Sequence, residues 1–163
     1  MKTLYILRHA KSSWNFTELP DEQRPLMEKG KKRTRKIIEY MLSNDIVPAV
    51  IVSSHAVRAF DTATIVAHGI RFPAEDILIS HNLYHCDTDG IFEELYPFDD
   101  TISSVMLVGH NPTLTNFLNK YFVPQIDYLP TSGFAGIKFE TDRWSDLPLA
   151  KADPFLILFP KEM

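Results

Sequence analysis

Three stretches of the chain place arginine or histidine directly after a short apolar run. Arg8 and His9 follow the first run, Ser53-Ser54-His55 and then Arg58 follow the second, and His110 follows the third. Apolar runs of this length are typical of buried strands. Because the ends of parallel strands meet at one edge of a sheet, where ligands bind in open α/β folds, we expect these side chains to converge.

These residue types suit the transfer of a phosphoryl group. The guanidinium groups of Arg8 and Arg58 can hold its non-bridging oxygens through charge-assisted hydrogen bonds, each worth about 1.5–3 kcal/mol. A neutral His9 can attack phosphorus and form a phosphohistidine that water later cleaves. A protonated His110 adds a hydrogen-bond donor for the charge that develops. The two arginines are expected to lower the pKa of His9, which favours its neutral, attacking form.

The elements that must position these residues alternate along the chain. Strands are predicted at residues 3–8, 50–52, 76–79, 105–108, 135–140 and 155–159, and helices at about 26–43, 56–67, 91–96 and 112–121. Such alternation favours a mostly parallel sheet with helices on both faces, joined by right-handed crossovers. We therefore predict an α/β three-layer sandwich. The length of 163 residues suggests one domain, spanning residues 1–163.

Composition limits the classes of partner. The net charge of −4 argues against general nucleic-acid binding. No run approaches the roughly 18 apolar residues of a membrane span, and no signal peptide is visible, so a cytoplasmic location is expected. Cys86 is the only cysteine, which excludes an intrachain disulfide and fits a reducing compartment. Nothing indicates a coiled coil or an obligate interface, so we expect a monomer.

The six histidines raise the question of a metal site. No pair of them has the close spacing of an HExxH or paired-cysteine site. The two arginines at the proposed centre would also repel a cation. We therefore expect neither a metal nor another cofactor.

Several motifs resemble those of a known family. Arg8-His9-Ala10, with Ser12, Trp14 and Asn15, resembles the signature of the histidine phosphatase superfamily, which has the phosphoglycerate-mutase-like fold. Ser53-Ser54-x-x-x-Arg58-Ala59-x-x-Thr62-Ala63 is similar to its second arginine motif, and Val108-Gly109-His110-Asn111-Pro112 to its second histidine motif. Four details resemble the SixA branch of protein-histidine phosphatases: Arg-His-Ala-Lys-Ser, Arg24-Pro25-Leu26 before Gly30, Leu83-Tyr84, and Gly-His-Asn-Pro.

The resemblance implies roles for particular residues. His9 would be the nucleophile, and the phosphate pocket would be completed by Arg8, Arg58 and His110, with help from Asn15 and Ser12. The mutases and phosphomonoesterases of the superfamily carry a glutamate that donates a proton. The nearest position here lies around His85, a possible acid, whereas the neighbouring carboxylates are out of pattern: Asp87, Asp89 and Glu93.

The missing glutamate has a chemical consequence. An alkoxide leaving group is a strong base and needs a proton donor. The imidazole of a phosphohistidine titrates near neutrality and can take its proton from solvent. The leading hypothesis is therefore a metal-independent phosphatase that dephosphorylates phosphohistidine on a protein, such as a phosphorelay component.

Two alternatives stay open at this point. The first is a small-molecule phosphomonoesterase that uses His85 or a nearby carboxylate as its acid. The second is a non-catalytic phosphate-binding module, against which the intact His9 and His110 argue. The role of His55 also stays open, and so does that of the basic run at residues 29–36, which is either a solvated helix face or a docking patch for an acidic protein. Trp14 and Tyr84 fit either the core or the pocket wall.

Overall fold

The computed structural model describes all residues from Met1 to Met163. Six strands and four helices follow one another in the order β1 (Lys2–Arg8), α1 (Glu28–Ser43), β2 (Val50–Ser54), α2 (Val57–Ile70), β3 (Leu78–Ser80), α3 (Thr88–Leu95), β4 (Ser104–Gly109), α4 (Thr113–Leu118), β5 (Phe134–Phe139) and β6 (Ala152–Leu158). Short 3-10 turns lie at Asp21–Gln23, Ala74–Asp76, Asn82–Tyr84, Trp144–Leu149 and Pro160–Glu162.

The strands form one sheet in the order β3-β2-β4-β1-β5-β6. Strands β1, β2, β3 and β4 all run parallel to one another. Strand β5 runs antiparallel to β1, and β6 runs antiparallel to β5. The predicted mostly parallel sheet is therefore confirmed, with two antiparallel strands at one side. Arg8 pairs with Gly109, and Ser53 pairs with Val108, so the carboxyl ends of β1, β2 and β4 lie side by side.

Apolar side chains cover both faces of the sheet because successive residues of a strand point to opposite sides. Leu4 and Ile6 of β1 belong to the apolar cluster under α3 and α4, whereas Leu7 belongs to the cluster under α1 and α2. Burial of each such side chain is worth about 1.5–3 kcal/mol. The two clusters confirm the predicted three-layer arrangement.

Two helix boundaries differ from the prediction for reasons of packing. Helix α1 begins at Glu28 rather than Leu26, because Leu26 forms a bridge with Ser12 and Met27 donates its N–H to the Lys11 carbonyl. Helix α2 continues through Gly69 to Ile70 and ends at Arg71, which has a φ of 62°.

The other ends of the predicted elements shift by a few residues. Helix α4 stops at Leu118 rather than near Tyr121, because the side chain of Asn119 bonds both the N–H and the carbonyl of Ile126. Strand β6 starts at Ala152 and contains Pro154, which an edge strand tolerates. None of the helices combines the length and the apolar character that a bilayer crossing requires.

Candidate active site

A cavity of about 400 Å³ opens at the carboxyl ends of β1, β2 and β4. Arg8 and His9 reach it from the end of β1, Arg58 from the first turn of α2, and His110 from the residue after β4. The structure thus brings together four side chains that the chain separates by up to about a hundred positions. Their convergence follows from the parallel order of the three strands.

His9 is buried and held in one orientation. Its Nδ1 lies 2.8 Å from the Ala10 carbonyl oxygen. A carbonyl can only accept a hydrogen bond, so Nδ1 carries the proton and Nε2 keeps its lone pair. The N–H of Ala10 in turn donates to the Thr62 hydroxyl at 2.9 Å, which fixes the turn after β1 to helix α2.

The pKa of His9 is shifted far below its ordinary value. Burial, aided by the positive charges of three nearby arginines, lowers the pKa to about 3 against the opposing effect of the Ala10 hydrogen bond. The imidazole of His9 is therefore neutral at neutral pH. A neutral ring with a free Nε2 is the form that can attack phosphorus.

His110 lies beside His9, with 5.1 Å between the two ring centres. Its Nε2 is 2.8 Å from the Ser54 hydroxyl oxygen. Burial is the largest cause that lowers the pKa of His110 to about 3, and the neighbouring His9 ring and the positive charge of Arg58 lower it further. His110 is thus neutral in the free protein. A bound dianion would raise its pKa again, because a nearby negative charge favours the imidazolium form.

Three buried arginine donors and one imidazole nitrogen around the cavity have no protein partner. They are Nε of Arg8, Nε of Arg58, Nη1 of Arg24 and Nδ1 of His110. A buried donor without a partner costs about 1–3 kcal/mol. An oxyanion in the cavity would supply acceptors for such donors, and guanidinium groups suit the oxygens of a phosphoryl group.

Sequence reasoning missed Arg24 as a part of this cavity. Its guanidinium is buried, donates from Nη2 to the Ser12 hydroxyl at 2.9 Å and lies 3.4 Å from the centre of the Trp14 ring. Trp14 itself is 74% exposed, so it belongs to the pocket wall and not to the core. The available signal was the Arg24-Pro25-Leu26 motif, which marked a family branch but gave no position in space.

Asp21 was also missed, and it is the only carboxylate that lines the cavity. Arg58 donates from Nη1 to the Asp21 carbonyl at 2.7 Å and from Nη2 to Oδ2 at 2.9 Å. The Tyr84 hydroxyl donates to the same carboxylate. Burial alone would raise the pKa of Asp21, but the hydrogen bonds from Tyr84 and Arg58 and the charges of the arginines lower it overall.

Two further predicted site residues lie in the loop after β1. Ser12 is buried and lines the cavity, but its hydroxyl accepts the hydrogen bond from Arg24. Asn15 is exposed, and its backbone N–H bonds the Ser13 hydroxyl. The structure brings Ser12 to the site and leaves Asn15 outside the cavity lining.

The residues near the predicted acid position lie farther out. His85 is exposed and packs on Tyr84 at 4.2 Å between ring centres, and Tyr84 packs on His110 at 5.3 Å. His85 is therefore next to the site but does not line the cavity. Asp87 caps α3 by accepting the Gly90 N–H at 2.9 Å. The remaining two carboxylates, Asp89 and Glu93, line a different cavity.

The other aromatic residues near the site form a stacked group. His55 packs on His81 at 4.1 Å and on Tyr84 at 5.1 Å between ring centres. Neither histidine lines the cavity. No group of three or more histidine, cysteine, aspartate or glutamate side chains is arranged to hold a metal ion.

Residues 4–86 match the profile of the histidine phosphatase superfamily, branch 1. The chain belongs to this superfamily. The match covers half of the chain and includes Arg8, His9 and Arg58. The match supports a phosphatase role.

Similar proteins extend over nearly the whole chain. An uncharacterised protein of Mycobacterium leprae is 29% identical over 161 residues, which covers 90% of this chain and 95% of the relative. The structure of a candidate phosphohistidine phosphatase SixA from Agrobacterium tumefaciens is 25% identical, with a TM-score of 0.82 and 98% of both chains covered. The protein histidine phosphatase SixA in complex with tungstate has a TM-score of 0.79 at 17% identity, with 98% of both chains covered. These likenesses confirm the phosphoglycerate-mutase-like fold.

Proposed function

We propose that the protein is a metal-independent phosphatase that removes the phosphoryl group from phosphohistidine on a protein, through a phosphohistidine intermediate on His9. The observation that carries this proposal is the state of the only carboxylate in the cavity. Asp21 is held by Arg58 and Tyr84 in its ionised form. An ionised carboxylate has no proton to give to a leaving group.

The leaving group that needs no such proton donor is an imidazole. An alkoxide would leave as a strong base, whereas the second ring nitrogen of a phosphohistidine titrates near neutral pH, so the ring can be protonated before it leaves as neutral imidazole. The substrate's histidine can thus take its proton from solvent. The arrangement favours cleavage of a P–N bond over cleavage of an alkyl phosphate ester.

The first step transfers the phosphoryl group to the enzyme. Arg8, Arg58 and the imidazolium of His110 hold the non-bridging oxygens, and the lone pair of His9 Nε2 forms the new P–N bond. The other ring nitrogen of the substrate histidine carries a proton taken from solvent, the P–N bond of the substrate breaks, and its electron pair returns to the ring, which leaves as neutral imidazole. The protein contributes mainly position and electrostatic stabilisation.

The second step regenerates the enzyme. Water attacks phosphorus, the P–N bond to His9 breaks, and the electron pair returns to Nε2 while inorganic phosphate leaves. The hydrogen bond from Nδ1 to Ala10 keeps the ring in place throughout the cycle. The low pKa of His9 in the free site favours its return to the neutral form.

The likeness to the candidate SixA of Agrobacterium tumefaciens supports a phosphohistidine substrate, since that protein is described as a phosphohistidine phosphatase. The cavity is open to solvent, and two of the residues that line it, Trp14 and Lys161, are exposed. An open mouth suits a substrate side chain that projects from a protein surface.

The test compares hydrolysis of a histidine-phosphorylated protein with hydrolysis of an alkyl phosphomonoester, in the presence of a chelator. We expect a strong preference for the phosphohistidine protein, and a loss of at least about a thousandfold in kcat for His9→Ala. His68→Ala, at an exposed position near the end of α2, serves as the matched control. A wild-type reaction on a substrate with a radioactive phosphoryl group should contain label on His9 when it is stopped with detergent at alkaline pH, because acid cleaves phosphohistidine.

Two results would contradict the proposal. A preference for the monoester that is lost in His85→Ala or Asp21→Asn would assign a small-molecule phosphomonoesterase with that residue as its acid. Tungstate binding without hydrolysis of either substrate would assign a non-catalytic phosphate-binding module. In both cases the fold assignment would stand.

A further inference from the structure

The cavity carries more positive charge than a phosphoryl group needs. Six basic side chains line it against the single carboxylate of Asp21, although the whole chain has a net charge of −4. Three of the six are the arginines around His9 and His110, and with Asp21 they leave a net charge of about +2, which matches a phosphoryl dianion. The other three are in excess: Lys11, Arg33 and Lys161.

The excess cations lie toward the outside of the cavity. Lys11 lies in the loop after β1, Arg33 lies on α1, and Lys161 lies on the C-terminal 3-10 turn. Lys11 and Arg33 are half-buried, and Lys161 is exposed. Lys36 fixes the C-terminal turn against α1 by donating to the carbonyl oxygens of Pro160 and Met163, both at 3.3 Å.

Lys29 belongs to the same group of charges. Lys29 lies four residues before Arg33 on α1, so the two side chains lie on the same face of the helix. The charges of Arg33 and Lys11, the largest causes, and that of Lys161 also lower the pKa of Lys29. These four residues therefore form one patch, which we call the basic rim: Lys11, Lys29, Arg33 and Lys161. No residue of the basic rim forms an ion pair within the protein.

We propose that the basic rim is a docking surface for a protein that presents acidic side chains beside its phosphorylated histidine. This inference rests on the proposed function and names the kind of substrate protein that the site accepts. The rim is continuous with the cavity, so its cations would face the substrate surface that surrounds the phosphohistidine.

Charge complementarity favours an acidic partner over a neutral one. Unlike charges steer two proteins together and fix their relative orientation, and the effect weakens with salt. The negative charge of the rest of the chain would repel an acidic partner elsewhere. The rim would therefore direct such a partner to the cavity.

The test uses two synthetic phosphohistidine peptides of equal length, one flanked by glutamates and the other by glutamines. The rim variant is Lys11→Gln/Arg33→Gln. The control variant is Lys32→Gln/Arg35→Gln, which removes the same charge from two exposed residues of α1 that do not line the cavity. The readout is the ratio of kcat/KM between the acidic and the neutral peptide.

We expect the wild type and the control variant to prefer the acidic peptide by about tenfold at low salt, and the rim variant to lose most of that preference. Added salt should reduce the wild-type preference as well. A second rim variant, Lys29→Gln/Lys161→Gln, should behave like the first. Unfolding in urea checks that each variant is folded.

The remaining outcomes overturn the inference in distinguishable ways. Equal turnover of both peptides by the wild type would overturn the docking surface and leave the proposed function intact. A rim variant that loses the same factor on both peptides would assign these cations to the phosphoryl group itself. Hydrolysis of neither peptide would overturn the proposed function, and the docking surface with it.

Discussion

Lowering the pH should destabilise the protein through the two buried histidines of the site. His9 and His110 are 6% and 7% exposed, and both have a pKa lowered to about 3. In the unfolded chain a histidine titrates near pH 6.5. Between these two values the unfolded state binds a proton that the folded state does not. The stability contributed by each neutral histidine is therefore complete above about pH 6.5 and is lost as the pH falls toward 3.

The size of the change in unfolding free energy follows from the difference between the folded and unfolded pKa values. One pH unit in this window changes the free energy of unfolding by about 1.4 kcal/mol for each histidine. From about pH 7.5 to about pH 5, His9 and His110 should each remove about 2 kcal/mol, or about 4 kcal/mol together. Small domains have a total stability of about 5–15 kcal/mol, so this loss is easily measured.

Urea unfolding at a series of pH values measures this loss, in buffers free of phosphate and sulfate because such anions would bind the cavity. His9→Gln and His110→Gln should each remove about half of the fall in free energy, because each deletes one of the two titrating groups. His68→Gln, at an exposed position on α2, is the matched control and should show the wild-type fall. If both site variants keep the full pH dependence, the two histidines are not the groups that resist protonation, and the argument for a neutral His9 fails.

Two substitutions test the loop that follows β1. Asp21→Asn removes the only negative charge of the cavity and frees Arg58 from a charged partner. Tungstate, an anion, should therefore bind about tenfold more tightly to the variant. Weaker binding would show that Asp21 instead holds Arg58 in place. Gly30→Ala would put a Cβ atom 2.6 Å from the Lys11 carbonyl oxygen and 2.7 Å from its nitrogen, and backbone atoms cannot easily give way. We expect Gly30→Ala to lower the free energy of unfolding by about 1–3 kcal/mol and to reduce phosphatase activity, whereas unchanged values would show that the loop can move at no cost.

The sequence by itself determined most of the elements and the inner part of the site. The apolar runs before Arg8, Ser53 and His110 have strand character, and helical segments separate them. Because right-handed crossovers place the carboxyl ends of parallel strands at one edge, the convergence of these motifs follows from their order alone. The same reasoning does not predict that β5 and β6 run antiparallel, because their direction depends on the path of long connections.

Only the tertiary structure decided where the loops and the helix ends lie. Helix α2 continues past its predicted end at residue 67 to Ile70, and Gly69 packs against Ile38 of α1, where a Cβ would approach within 2.6 Å. The connection at residues 9–27 has no periodic pattern, and contacts far apart in the chain set its path, such as the hydrogen bond from Arg24 to Ser12 and the pair of Arg58 with Asp21. Periodicity reports which face of an element is buried, and it carries no information about which distant group a polar loop residue will meet. For this reason the sequence predicts His9 at the centre of the site, whereas Asp21 and Arg24 emerge only from the folded chain.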